Sequence, residues 1–244
     1  MAVSINNTVI NTEDGNTVAS GISSKSGSDV ALIALSIHSE NQAGAAKGTH
    51  SIASQDFGSD SFDVNGSSTR CASMLGVSVD ADTWPASDGT YQADISTTDL
   101  NDASAIFNCA GVDQTTPFTG HESIVGSSTT SFPNFTSIDV DDGDLVVCLG
   151  SVSTANTISA PALLGGIDAW TEITDGANII GGGAQTGAFY YSIATGDYPA
   201  EVITIGSSGS GIRFGAKCVI KAATGGAVQS IVPLVIQQFL SQQQ

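Results

Sequence analysis
Apolar and polar residues alternate along most of the chain, and no stretch of the main body sustains the 3.6-residue period of an amphipathic helix. The clearest alternation is "VALIALSIHSE" from Val30 to Glu40, where Ala31, Ile33, Leu35 and Ile37 share one face. Its nearly continuous apolar start predicts a strand in the middle of a sheet. Further strands are predicted at "CASMLGVSV" from Cys71 to Val79, "TYQADIS" from Thr90 and "SAIFNCAGV" from Ser104. Later ones fall at "TSFPNFTSIDV", "DLVVCLGSV", "GAFYYSIA", "AEVITIGSS" and "RFGAKCVIKAA". "DFGSDSFDVN" reads as a hairpin anchored by Phe57 and Phe62, and "SIDVDDGDLVV" as a second one turning on Asp142-Gly143.

Short strands separated by Asp, Pro and Gly turns are the cue for an antiparallel β-sandwich, here expected to be jelly-roll-like, rather than for βαβ units. The composition does not shift along the chain, so one all-β domain is expected over residues 1–224, with residues 1–29 partly an N-terminal arm. Residues 225–244 are set apart as a C-terminal assembly tail.

Composition sharpens this picture. Acidic residues number 24 against 6 Lys plus Arg, a formal charge of −18, which excludes a phosphate-binding groove and with it a nucleic-acid partner. Only 12% of residues are charged, so the acidity reflects missing cations rather than the acidic runs of a disordered chain. The opening "MAVSINNTVI" lacks the basic and apolar regions of a secretory signal, and no even apolar run suits a membrane span. Synthesis in a host cytoplasm without membrane attachment is the expectation.

Candidate chemistry is sparse. Cys71, Cys109, Cys148 and Cys218 form no CxxC pair and lie in strand-like surroundings, which suits buried thiols, with two long-range disulfides as the alternative. "EVITIGSSGSGIRFG" is rich in glycine, but a dinucleotide fingerprint must open a helix and strand follows here, so a hairpin loop is expected. His38, His50 and His121 stand in no catalytic motif. Asp139, Asp141, Asp142 and Asp144 cluster in "DVDDGD", yet the glycine falls too early for an EF-hand loop, so solvated turn carboxylates are expected. No catalytic residue, metal or cofactor is assigned, and the chain is read as a non-enzyme.

The least easily explained stretch is "AVQSIVPLVIQQFLSQQQ". As a helix it aligns Val228, Ile231, Val232, Val235, Ile236 and Phe239, but an interior Pro233 costs a helix about 3 kcal/mol. As an extended arm it tolerates Pro233 at an edge and places Val232, Leu234, Ile236 and Leu240 on one face. Each such side chain gains ~1.5–3 kcal/mol on burial, so the segment needs a surface to cover. It either folds back on its own domain or crosses to a neighbour. Crossing is the reading adopted, with Ile231, Val232, Leu234, Val235, Ile236, Phe239 and Leu240 as docking residues and the strand-like Val3 to Ile10 as a second pairing segment.

The phrases "SDVALIALSIHSE", "GVDQTTPF" from Gly111 to Phe118, "DDGDLVVCLG" from Asp141 to Gly150 and "KAATGGAVQSIVPL" resemble the β-sandwich virion structural proteins of tailed bacteriophages. That group includes capsid decoration (cement) proteins and fibre or adhesin proteins. In similar proteins "GVDQ" followed by a proline ends a strand and turns the chain, a role that falls on Asp113 and Pro117 here. The resemblance implies a non-enzymatic decoration or cement protein located in the virion, which forms a homotrimer and binds a major capsid protein on the head surface. The alternative it leaves open is a tail-fibre or surface adhesin that binds a host glycan through loops carrying Trp84 and Trp170. A β-sandwich hydrolase would need a cleft holding one of the three histidines beside a carboxylate.

Overall fold
The computed structural model describes residues 2–11, 20–22, 29–39, 50–52, 55–56, 62–65, 71–79, 89–93, 102–129, 132–152, 157–163, 170–173 and 186–224. The described residues are all-β and contain no helix. In the first half run β1 (Ser4–Asn11), β2 (Ser20–Ile22), β3 (Ala31–Ser39), β4 (His50–Ile52), β5 (Gln55–Asp56), β6 (Phe62–Asn65), β7 (Cys71–Val79), β8 (Gly89–Ala93) and β9 (Asp102–Ala110). In the second run β10 (Phe118–Thr129), β11 (Ile138–Val140), β12 (Leu145–Val152), β13 (Ile158–Leu163), β14 (Thr171–Glu172), β15 (Thr186–Ile193), β16 (Tyr198–Glu201), β17 (Ile203–Ser207) and β18 (Gly211–Ile220).

Two five-stranded antiparallel sheets dominate, one ordered β1-β9-β3-β7-β6 and the other β10-β18-β12-β15-β14. They meet in one apolar cluster: Ala31 and Ile33 of β3 and Ala105 and Cys109 of β9 pack with Leu145, Val147 and Leu149 of β12 and Phe189 of β15. As its apolar start foretells, β3 is the middle strand of its sheet.

The second sheet is covered on both faces. Every residue of β12 is buried, which is why "LVVCLGSV" is a nearly continuous apolar run and not an alternating one. Its odd-numbered Leu145, Val147 and Leu149 face the first sheet, whereas Val146, Cys148 and Val152 belong to a separate outer cluster. That outer layer is made of the pairs β11-β16 and β13-β17, together with Phe132 and Phe135 from the irregular stretch before β11. A four-stranded sheet, β2-β8-β4-β5, completes the described strands.

Among the described residues neither expected hairpin forms as such, and Phe57, one anchor of the first, lies outside them. Asp144 N–H donates to Asp141 O at 3.0 Å and Gly143 has φ +88°, so the Asp142-Gly143 turn is real. Yet β11 pairs with β16, while β12 pairs with β15 and β18. The wholly buried β12 has both edges occupied inside its sheet, so the turn hands the chain from the outer layer to the central sheet instead of folding it back. Likewise β5 pairs with β4 and β6 with β7. The glycine-rich loop after Ser207 also joins layers, since β17 pairs with β13 and β18 with β10 and β12. The "TSFPNFTSIDV" strand is confined to Ile138–Val140.

Candidate functional site
The docking residues expected from sequence, Ile231, Val232, Leu234, Val235, Ile236, Phe239 and Leu240, lie outside the described residues, as does Trp84. What the structure places is the root from which that segment leaves. After β18 the backbone stays extended: Lys221 N–H donates to Pro117 O at 2.9 Å, Lys221 O accepts from Asp113 N–H at 2.9 Å, and Ala223 N–H donates to Gly111 O at 2.7 Å. On the opposite side Ala222 N–H donates to Asp144 Oδ1 at 2.8 Å. Residues 221–223 are therefore held from both sides.

"GVDQTTPF" builds one wall of this clamp. Asp113 accepts the N–H groups of Thr115 and Thr116 at 2.7 and 3.0 Å, an Asx turn that reverses the chain after β9. The N–H bonds of Thr116 and Thr115 hold the Asp113 carboxyl below the usual carboxylate range. Gln114 Nε2 donates to Val30 O and Val112 O at 3.1 and 2.9 Å, tying the loop to the start of β3.

"DDGD" builds the other wall. The Asp144 side chain is 1% exposed and accepts from Asp141 N–H, Ala222 N–H and Lys221 Nζ. Asp141, 67% exposed, shares the same ammonium at 2.7 Å. Partial burial pulls the Lys221 ammonium toward neutrality, but its bonds to Asp141 and Asp144 outweigh this and raise its pKa. Asp139 accepts Ala200 N–H and Asp197 accepts Asp142 N–H, so these carboxylates act as backbone acceptors. The expectation of solvated turn carboxylates holds for the exposed Asp139, Asp141 and Asp142 and fails for Asp144. Among the described residues, no group of three or more His, Cys, Asp or Glu could hold a metal ion.

The chain's first residues reach the same pole. Val3 N–H donates to Gly143 O at 2.9 Å. Gly111 (φ +76°) and Gly143 press so closely on Ala2 that a Cβ on either would sit 2.9 or 2.8 Å from its backbone. Ala2 and Ala223 thus both abut Gly111. Of the segment expected to be partly an arm, Ser4–Asn11 forms β1, paired with β9 at the edge of the first sheet.

Beside the clamp runs an open groove of about 560 Å³, lined by Thr116, Phe118, Thr119 and Gly120 on one wall, Ser137, Ile138 and Asp139 on the other, and Lys221. The walls touch where Gly120, at φ +59°, leaves room for Ile138; a Cβ there would lie 2.8 Å from Ile138 Cγ2. His121 is exposed, its ring edge-on to Phe118 at 5.5 Å.

Two buried cations went unforeseen. Arg213 and Lys217 are each 0% exposed on the outer face of β18. The Arg213 guanidinium donates to Ser207 Oγ, Gly211 O and Gly209 O, which gives the glycine-rich loop its shape, and stands 5.9 Å from the Phe132 ring centre. Lys217 Nζ donates to Thr136 O at 3.1 Å, pairs with Glu122 at 3.3 Å and stands 5.7 Å from the Phe135 ring centre. The only warning in the sequence is that these cations alternate with Phe214, Ala216 and Cys218 on a strand flanked by apolar neighbours.

Cys109, Cys148 and Cys218 are buried free thiols. Trp170 is half-buried against the outer cluster, and its indole Nε1 is buried and without a hydrogen-bond partner among the described residues. No family model matches the sequence, and no curated protein or solved structure matches it either.

Proposed function
We propose that this chain is a non-enzymatic virion structural protein of a tailed bacteriophage, a capsid decoration or cement subunit with a jelly-roll-like sandwich and an assembly arm after Thr224. It oligomerises as a homotrimer and binds a major capsid protein on the head surface. The observation that carries the reading is the clamped root: residues 221–223 are fixed on both sides by Pro117, Gly111 and Asp144, beside Ala2. A rigid anchor immediately before a run of exposed-cost apolar residues suits an arm that transmits docking to the domain. The resemblance described above supplies the virion setting.

The test is gold-labelled antibody imaging of particles from the native source, alongside a chain truncated after Thr224. The expected result is label spread over heads, and a truncated protein that folds but neither oligomerises nor decorates. Unlabelled particles, or full decoration by the truncated chain, would overturn the proposal; label confined to a tail tip would replace it with the adhesin alternative.

A further inference from the structure
The groove beside the clamp has a geometry that names its occupant. Consecutive residues of a strand point to opposite faces, so a groove touching Phe118, Thr119 and Gly120 in succession runs along the edge of β10 and not over one face. The same holds for Ile138 and Asp139 of β11 on the facing wall, with Ser137 just before that strand. β10 is the edge strand of the central sheet, with β18 as its neighbour, and β11 pairs with β16; neither pairs with the other among the described residues. Phe118 and Ile138 are the apolar residues of its two walls, and Thr116, Thr119, Ser137 and Asp139 are polar ones. This is the form of a site for strand addition, in which main-chain bonds supply affinity and alternate side chains fill apolar recesses.

We propose that this groove receives residues 231–240 of a second copy of the chain, laid as an extended strand along β10. The inference rests on the assembly reading above and names its acceptor. Three observations select this occupant. Residues 225–244 contain no ionisable side chain in a protein of formal charge −18, so this segment approaches another copy without like-charge repulsion. Its root, Lys221, forms part of the groove itself, and seven residues from Thr224 to Ile231 reach up to ~25 Å when extended. Finally, the root is bonded on both sides, by Gly111, Asp113 and Pro117 and by Asp144, so residues 221–223 offer no free edge for the segment to pair with. Pro233 is tolerated by a strand added at an edge. A groove on one copy filled by the segment of the next is a heterologous contact, which closes into a ring such as a trimer.

The experiment uses full-length chains in sedimentation equilibrium. Thr119→Arg with Ser137→Arg fills the groove from two exposed positions, and Ile236→Asp spoils the segment. Thr171→Arg, exposed on β14 at the far edge of the sheet, controls for added charge. The groove and segment variants are each expected to weaken self-association at least a hundredfold with unchanged circular dichroism, while Thr171→Arg self-associates as the parent does. Mixed together, the groove and segment variants are expected to form a 1:1 heterodimer and nothing larger, because the pair retains one intact groove and one intact segment. A groove variant that oligomerises like the parent, a mixture in which no heterodimer forms, or a parent chain that is monomeric because each segment occupies its own groove, would overturn the inference. Labelled heads from a chain that is monomeric in solution would overturn it while leaving the virion reading intact.

Discussion

The two faces of β18 are equally buried and chemically opposite. Toward the first sheet it presents Phe214, Ala216, Cys218 and Ile220, which pack with Leu149 and Phe189. Toward the outer layer it presents Arg213 and Lys217, each 0% exposed, with Val219 as the apolar residue of that face. The inner partner is a regular sheet whose backbone is satisfied internally, so it offers side chains alone. The outer partner is partly the irregular stretch 132–137, where Thr136 O and the Phe132 and Phe135 rings are available to receive cations. Burying an ammonium is unfavourable without such partners. An irregular segment over a sheet is thus matched by charge on the strand beneath it.

The comparison breaks most forcefully on its apolar side. Phe214→Ala is expected to destabilise the domain by ~3–5 kcal/mol, because the first sheet does not relax into the space left; urea unfolding midpoints measure this. On the outer side, Glu122→Ala removes the carboxylate from Lys217 and is expected to cost about 3 kcal/mol. Glu122→Gln keeps an acceptor for Thr136 and is expected to cost less. If Glu122→Ala proved mild while Phe214→Ala kept its full cost, the outer layer would not be part of the cooperative core.

A pH series separates the buried thiols from the buried lysine by sign. Burial pushes the Cys109 thiol up from 9.0 to about 12 and raises Cys148 and Cys218 too, against a weaker opposing pull from Lys217 on the latter two. Above pH 9 the unfolded chain releases thiol protons that the folded chain keeps, so stability falls by ~1.4 kcal/mol per pH unit per thiol. Lys217 works the other way: desolvation lowers its pKa below 10.5 despite Glu122, so its contribution grows as pH rises from that lowered value to 10.5. Three thiols outweigh one lysine, and stability is expected to decline between pH 9 and 10. Cys148→Ala should flatten the decline and Lys217→Met should steepen it, both read from thermal melts at fixed pH.

The smallest effect is expected from replacing the whole outer pair. Lys217→Met with Glu122→Gln removes both charges and keeps the volume, and is expected to change stability by about 1 kcal/mol or less. A loss as large as that of Glu122→Ala would mean that the pair itself, and not the absence of an orphan charge, stabilises this layer.

The same contrast explains what was legible in the sequence. β3, β7, β9 and β12 carry period-two or continuous apolar patterns because regular sheets cover them, and their bounds follow closely. β10, the longest strand described, went unseen: "FTGHESIVGSST" contains Gly120, Glu122 and Gly126, and its pairing with β18 slips between Thr119 and Glu122. Glu122 reads as solvent-facing until Lys217 is placed opposite it, a pairing across 95 residues that no local pattern encodes. Turn chemistry was legible at Asp113 and at Asp142-Gly143, but a turn fixes a reversal and not the strand to which the chain returns. The clamp on residues 221–223 was illegible for a similar reason, since it joins Gly111, Asp113 and Pro117 to Asp144 across the fold. The docking residues proposed from composition lie outside the described residues; their root and the neighbouring groove are what the structure adds.

The position of that root has a mechanical consequence. Residues 221–223 prolong β18, which lies between β10 and β12 in antiparallel pairing on both edges. A pull on the chain beyond Thr224 is directed along the strand, so the two hydrogen-bonded ladders resist together in shear rather than opening one bond at a time. Tension applied there is spread over the central sheet before any single contact yields.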